Sequence, residues 1–233
     1  MSNKIVLQTA ADQVYEELRR RIVRHELSPG TPLPLAELAD ELGVSTMPVR
    51  AALPRLEAEG LVMQVRHRGA SVAPLDIEDL EIIQAVRIGI EGFAAELGAR
   101  SMSTADTHRI QKALDRCKVI ADRGDLDDYL AALWEMHDTC YAAANRRRLL
   151  DLIHQYRRRA ERYIRLAVAS LELPENIVLQ ERFAQACVAR DGDAARRAIT
   201  HALSWTIGAL ESSIQADRAA ANMAHSESRR SSA

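Results

Sequence analysis

Residues 38–45 read Leu38-Ala39-Asp40-Glu41-Leu42-Gly43-Val44-Ser45, and a helical run from Thr46 to about Glu59 follows them before Gly60. In physical terms this is a helix-turn-helix. Ala39 is small where a second helix must approach, Gly43 can take the positive φ of a tight turn, and Val44 plugs the angle between the helices. Ser45 is a good N-cap, and Pro48 falls in the first turn, where its missing N–H deprives nothing. Val49, Leu53 and Leu56 form the buried stripe of the second helix. Thr46, Met47 and Arg50 then face outward near its start, where a recognition helix meets base edges in the major groove. Arg50 is the first candidate for base readout, because a guanidinium donates two hydrogen bonds to guanine O6 and N7. The hydroxyls of Ser45 and Thr46, with the helix-terminal N–H groups, are candidates to hold a phosphate. Pro54 should clash with the carbonyl of Arg50, which predicts a kink or short break near Leu53.

Upstream, Val14, Leu18 and Ile22 recur every four residues and predict a helix from about Ala11 to His25, stopped by Ser28-Pro29-Gly30. A short helix from Leu35 to Leu42 leads into the turn. Downstream, Leu61, Val62 and Val65, then Arg66-His67-Arg68-Gly69, then Ala70, Ser71 and Val72 predict two short strands joined by a basic turn. Arg66, Arg68 and Gly69 of that turn are candidates to reach the DNA backbone or the minor groove. These elements make a winged helix-turn-helix domain over residues 1–75: three helices plus a β-hairpin wing.

The rest of the chain is helical in pattern. Leu80, Ile83, Val86, Ile90, Phe93 and Leu97 form one apolar stripe, and further runs cover about Thr104–Ala121, Asp125–Ala144, Arg147–Leu171, Glu175–Arg190 and Asp193–Gln215. Breaks at Gly124, Asn145, Pro174 and Gly192 separate them. The expectation is a mainly α protein, with an all-α six-helix bundle over 76–215 and a flexible tail over 216–233. Only 4% of residues are aromatic while Ala, Leu, Arg and Glu dominate, which argues against a large β-sandwich. The longest uncharged run, Ala198 to Leu210, is too short to span a bilayer, and no apolar signal core follows Met1, so a soluble, cytoplasmic protein is expected. Cys117, Cys140 and Cys187 are widely spaced and odd in number, so neither a disulfide framework nor a thiolate zinc site is written here. The net charge of -2 gives no global hint of a nucleic-acid partner. Between Gly43 and Val72, however, Arg50, Arg55, Arg66 and Arg68 face only Glu57 and Glu59.

With Leu27-x-Pro-Gly30, Leu38-Ala-x-x-Leu-Gly-Val-Ser45, Pro48-Val-Arg50, Leu53-x-x-Leu56-Glu-x-x-Gly60-Leu and Arg68-Gly-x-x-Val72, the segment from Val14 to Val72 resembles the winged helix-turn-helix of GntR-family bacterial transcription regulators. Ile83-x-x-Val-Arg87-x-x-x-Glu91-x-x-Ala94-Ala95 and Gly192-Asp193 with its Ala-rich helix resemble the FCD effector domain of the FadR-type subgroup. Thr46, Ala51 and Pro54 depart from the family pattern. Thr46 stands where an Arg often follows the capping Ser, and Ala51 where a Glu often follows the recognition Arg, so base preference should differ from typical relatives.

The FCD resemblance implies a divalent metal held by an Asp and a His four residues apart, plus two His from later helices, beside a carboxylate effector. His137 matches the first His. Leu133 stands in place of the Asp, Arg182 falls at the next His position, counted eleven residues before Asp193, and His201 approximates the last. With Leu133 and Arg182 replacing two ligands, no metal or other cofactor is expected. Arg182, helped by His137, His201 and Arg87, would receive an anionic effector directly. The plain alternatives are histidines hydrogen-bonded inside the bundle and an i,i+4 structural pair of Arg87 with Glu91.

The resemblance therefore implies a homodimeric repressor that binds double-stranded operator DNA at an inverted repeat and is released by a small anionic metabolite. The alternative is an all-α metabolite-binding enzyme or scaffold carrying a non-functional DNA-binding module. No Ser/His/Asp arrangement, phosphate-binding glycine loop or His-Glu-x-x-His motif stands out, so an enzyme is not expected.

Overall fold

The computed structural model describes residues 8–65, 69–169, 173–205 and 208, and divides into two compact units, Met1–Asp76 and Ile77–Ala233. The expected tail from 216 and the side chains of Arg66 and Arg68 lie outside the described residues.

In the first unit, α1 (Ala10–Val23) begins at a capping box, with the Thr9 side chain accepting from the Asp12 N–H and Asp12 accepting from the Thr9 N–H. A two-residue strand, β1 (Pro32–Leu33), precedes α2 (Leu35–Glu41) and α3 (Thr46–Ala58), and β2 (Val62–Val65) and β3 (Gly69–Val72) close the unit. The sheet order is β1-β3-β2, antiparallel throughout, with Val62 opposite Val72 and Leu33 opposite Ala70. The wing is thus three-stranded where the sequence predicts a hairpin. Two residues cannot display the alternation by which a strand is recognised. The turn between α2 and α3 is as expected: Gly43 has φ +65°, Ala39 is buried, and Val44 packs partly buried against the core. Leu18, Ile22, Val49, Leu53, Leu56, Leu61 and Val72 are buried together. Each fully buried aliphatic side chain contributes about 1.5–3 kcal/mol.

The expected break at Pro54 does not occur, because α3 runs unbroken from Thr46 to Ala58 through that proline. Pro54 sits on the exposed face, so solvent can satisfy the Arg50 carbonyl it deprives. Burial of Val49, Ala52, Leu53 and Leu56 on the opposite face holds the helix together.

The second unit is a bundle of α4 (Ile77–Ser101), α5 (Thr104–Ala121), α6 (Leu126–Ala143), α7 (Arg147–Ala169), α8 (Leu173–Val188) and α9 (192–205). Gly124 and Asn145 adopt positive φ and break the chain as the sequence predicts. The last break is placed differently. Arg190 takes the positive φ, Asp191 accepts from the Ala194 N–H as the N-terminal cap, and Gly192 is already helical. Glycine is needed there for proximity, since a Cβ would lie 2.5 Å from the Glu96 carbonyl oxygen of α4. Pro174 likewise lies within α8, in its first turn, and does not precede it.

The apolar stripe predicted for α4 is only partly its buried face. Leu80 and Ile83 are buried, but Phe93 is 49% exposed, and the inward positions carry Gln84, Arg87, Glu91, Ala94, Ala95 and Gly98. At Gly98 a Cβ would fall 2.0 Å from the Cys140 carbonyl oxygen of α6. Gly98→Ala is therefore expected to destabilise the protein by at least about 1–3 kcal/mol, through forced separation of two packed backbones, measured by chemical denaturation.

Candidate nucleic-acid interface and effector cavity

Thr46, Met47 and Arg50 are all exposed on the first turns of α3, with Met47 at 69%. Arg50 has no hydrogen-bond or ion-pair partner among the described residues. Its neighbours on the same unit are committed elsewhere. Arg55 pairs with Asp12 at 2.8 Å and lies 4.0 Å over the Tyr15 ring, while Glu59 is 3.0 Å from Arg19 Nε and accepts from Tyr15 Oη at 2.5 Å. Burial and then the Glu59 contact push the Tyr15 phenol up to about 12. Asp12 and Glu59 are thus drawn to the α1–α3 contact, and Glu57 accepts from Gln64 Nε2 at 3.3 Å. Ser45 occupies the N-cap position, but its hydroxyl makes no capping bond, contrary to the expectation of a side-chain cap. Exposed and uncommitted, it can meet a phosphate. Gly69 opens β3 with φ +80° and is exposed.

In the second unit, α4, α6, α7, α8 and α9 line a partly open cavity of about 30 Å³, formed by Arg87, Leu133, Trp134, His137, Ile164, Val168, Asn176, Gln180, Ala202 and Leu203. The sequence-predicted Arg87 and His137 meet there. Arg182 and His201 do not, for both are exposed. For α8 the offset arises because Asp191, not Asp193, caps α9. The residue eleven before Asp191 is Gln180, and it is Gln180 that faces His137, its Oε1 lying 2.8 Å from His137 Nε2. On α9 the adjacent Ala202 takes the cavity position in place of His201.

The positions where the family resemblance implies a metal therefore present Leu133, His137, Gln180 and Ala202. One imidazole, one amide and two aliphatic side chains are a poor donor set for zinc, nickel or manganese. Among the described residues no group of three or more His, Cys, Asp or Glu side chains could hold an ion. The residues do not fit the family's metal.

Arg87 is almost wholly buried and already satisfied, with Nε donating to Glu91 Oε1 at 2.8 Å and Nη1 donating to Gln84 Oε1 at 2.9 Å. Glu91 also accepts from Tyr141 Oη at 2.9 Å, and Gln84 donates to the Leu203 carbonyl at 3.3 Å. The structural i,i+4 pair is thus present. Burial opposes the Glu91 charge, but Arg87 and then Arg157 more than offset it, leaving the carboxyl below its usual range. A second chain of bonds links His137 to Gln180, Gln180 to Asn176 at 3.3 Å, and Tyr129 Oη to Asn176 at 2.7 Å. Beyond the Arg87–Glu91 pair the network is not visible as a motif, since Glu91 and Tyr141 are 50 residues apart and Tyr129 and Asn176 are 47 apart.

Burial, reinforced by Arg157, lowers the His137 imidazole to about 4. An unfolded histidine takes up its proton near 6.5, so the contribution is complete above that pH and is lost as the pH falls from about 6.5 toward 4. The expected loss is about 3 kcal/mol across that window. Urea unfolding of wild type and His137→Gln at stepped pH should show the slope in the first and a flatter profile in the second.

A recognition helix outward on a winged helix-turn-helix, followed in the same chain by an all-helical unit around a polar cavity, defines the winged-helix transcription regulators. Residues 10–72 match the family described as bacterial regulatory proteins of the gntR family, and residues 81–204 match the FCD domain. The chain belongs to the GntR family, with an FCD domain as its second unit, and is a DNA-binding transcription regulator. It is 27% identical over 197 residues to the HTH-type transcriptional repressor RspR of Escherichia coli, covering 84% of this chain and 86% of RspR. It is 26% identical to the "Probable D-xylose utilization operon transcriptional repressor" of Paenarthrobacter nicotinovorans, covering 92% and 98% of the two chains. The solved structure of E. coli McbR/YncC superposes with a TM-score of 0.75 at 21% identity, covering 89% of this chain and all of that one, and supports the fold. No helix among the described residues is long and apolar enough to cross a membrane.

Proposed function

We propose that the protein is a cytoplasmic, homodimeric repressor that binds an inverted-repeat operator and is released when a small anionic metabolite enters the helical unit, without a resident metal. The observation that carries this reading is the cavity itself, whose lining combines the aliphatic side chains of Leu133, Ile164, Val168, Ala202 and Leu203 with the polar ones of Arg87, His137, Asn176 and Gln180. Its present volume of about 30 Å³ suits one or two waters, well below the hundreds of Å³ of a metabolite pocket, so an effector must displace side chains as it binds. That displacement supplies the differential affinity by which a ligand shifts a protein between DNA-competent and incompetent states.

A dimer is supported by the outer face of α4, where Ile82 and Phe93 are 59% and 49% exposed and Val86 and Ile90 are half-buried along the same helix. A second copy related by a two-fold axis would cover such a face and place two recognition helices on one operator. The test is fluorescence anisotropy on the protein's own promoter DNA, titrated with salt and with organic acids. Sequence-selective binding with a steep salt slope, lost on adding one acid, supports the reading. Binding that no acid weakens but a neutral compound does would replace the anionic effector. A tightly held divalent ion in the purified protein would overturn the metal-free site.

A further inference from the structure

The outward face of α3 carries little charge for a surface that meets DNA. Thr46, Met47, Arg50, Ala51 and Pro54 are all exposed, and of these five Arg50 alone is charged. Met47 is the most exposed large hydrophobic side chain among the described residues. Met47, Ala51 and Pro54 stand at i, i+4 and i+7 and form one ridge of the helix, with Arg50 beside it. The backbone beneath that ridge is held in place, since Pro48 fixes φ in the first turn and Val49, Ala52 and Leu53 are buried in the core. A lone exposed methionine elsewhere on a surface calls for nothing. This one lies three residues from Arg50, on the helix offered to the major groove.

The major groove offers such a ridge one apolar partner, the C5-methyl group of thymine. A thioether chain suits it, being polarisable and free to adjust about three torsions as the helix seats. We propose that Met47, with the Ala51 methyl beside it, reads the C5-methyl of a thymine one or two steps from the guanine held by Arg50. The spacing follows from geometry: three residues advance about 4.5 Å along a helix, and neighbouring bases on a strand are about 3.4 Å apart. The two hydrogen bonds of Arg50 set the register in which the methyl is met. This inference rests on the operator-binding reading above and adds an apolar half to the readout, with Met47 as a specificity-determining residue.

The test removes the methyl and nothing else. Footprinting of the full-length protein on its own promoter DNA locates the operator, and duplexes of that operator are made with deoxyuridine in place of each thymine in turn, which keeps every hydrogen-bonding group of the base edge. In anisotropy titrations of the wild type, one thymine position per half-site should stand out, with binding weakened roughly fourfold for each methyl lost and about 15-fold when both half-sites are changed. Met47→Ala should bind the thymine operator weaker by about the same factor and show no further loss on the uridine duplex, while Met47→Leu should keep most of the methyl effect. Because Met47 is exposed, neither variant should change urea unfolding, which separates readout from folding. A methyl effect as large in Met47→Ala as in the wild type, or an operator in which no thymine methyl matters, overturns the role of Met47 and leaves operator binding standing. If the promoter DNA shows no protected site and binds no tighter than scrambled duplex, the operator reading falls and this inference with it.

Discussion

Glu91→Ala is expected to lower the stability of the protein by about 3–5 kcal/mol, because it leaves the Arg87 guanidinium buried without its counter-charge. Glu91 is fully buried and Arg87 is 3% exposed, so neither water nor salt can screen the orphan. The same change strips Tyr141 of its acceptor and loosens the side chain that Gln84 helps to hold. The double variant Arg87→Met/Glu91→Leu removes both charges and should recover most of the loss, since apolar groups of similar volume often replace a buried pair at little cost. Urea denaturation of the wild type, Arg87→Met, Glu91→Leu and the double closes the cycle and yields the coupling directly. A loss below about 1 kcal/mol in Glu91→Ala would mean that the pair is solvated in solution and that the network around the cavity is not rigid.

The DNA-binding unit was largely legible because its elements are short and local. Gly43, Ser45, Pro48 and the Val49-Leu53-Leu56 stripe all report on residues within a turn or two of themselves. What failed there failed for a tertiary reason: Pro54 is tolerated because its helix is pinned by burial on the opposite face, and β1 exists because β3 offers it an edge. The helical unit was legible in outline only. Helix positions followed from periodicity, but on α4 the inward face carries Gln84, Arg87 and Glu91, and a hydrophobic pattern cannot show charges that are satisfied by partners far along the chain. The family spacing counted from Asp193 lands on Arg182 because Asp191, two residues earlier, caps α9, and on α9 no histidine holds the cavity position, which Ala202 takes one residue after His201. Arg157 had no signal at all, being one of several arginines in a basic run whose burial is decided by the packing of the bundle.

Arg50→Ala should abolish sequence preference while leaving the fold intact. The side chain is exposed and unpaired among the described residues, so its removal should change unfolding stability by no more than about 0.5 kcal/mol. On DNA the effect should be large. A bidentate arginine–guanine contact carries about 1–3 kcal/mol of discrimination, and a dimer that places one in each half-site loses it twice, about 2–6 kcal/mol in all. Affinity for the operator should then approach that for unrelated duplex, and because a base contact releases few counterions, the salt slope should stay nearly the same. The opposite pattern, a uniform loss on all sequences with a slope reduced by about one per arginine removed, would reassign Arg50 to a phosphate. Readout would then fall to Thr46 and Met47, the latter exposed and able to meet a thymine methyl. Anisotropy titrations of wild type and variant on operator and scrambled duplexes at several salt concentrations separate the two outcomes, and they do so without knowledge of the effector.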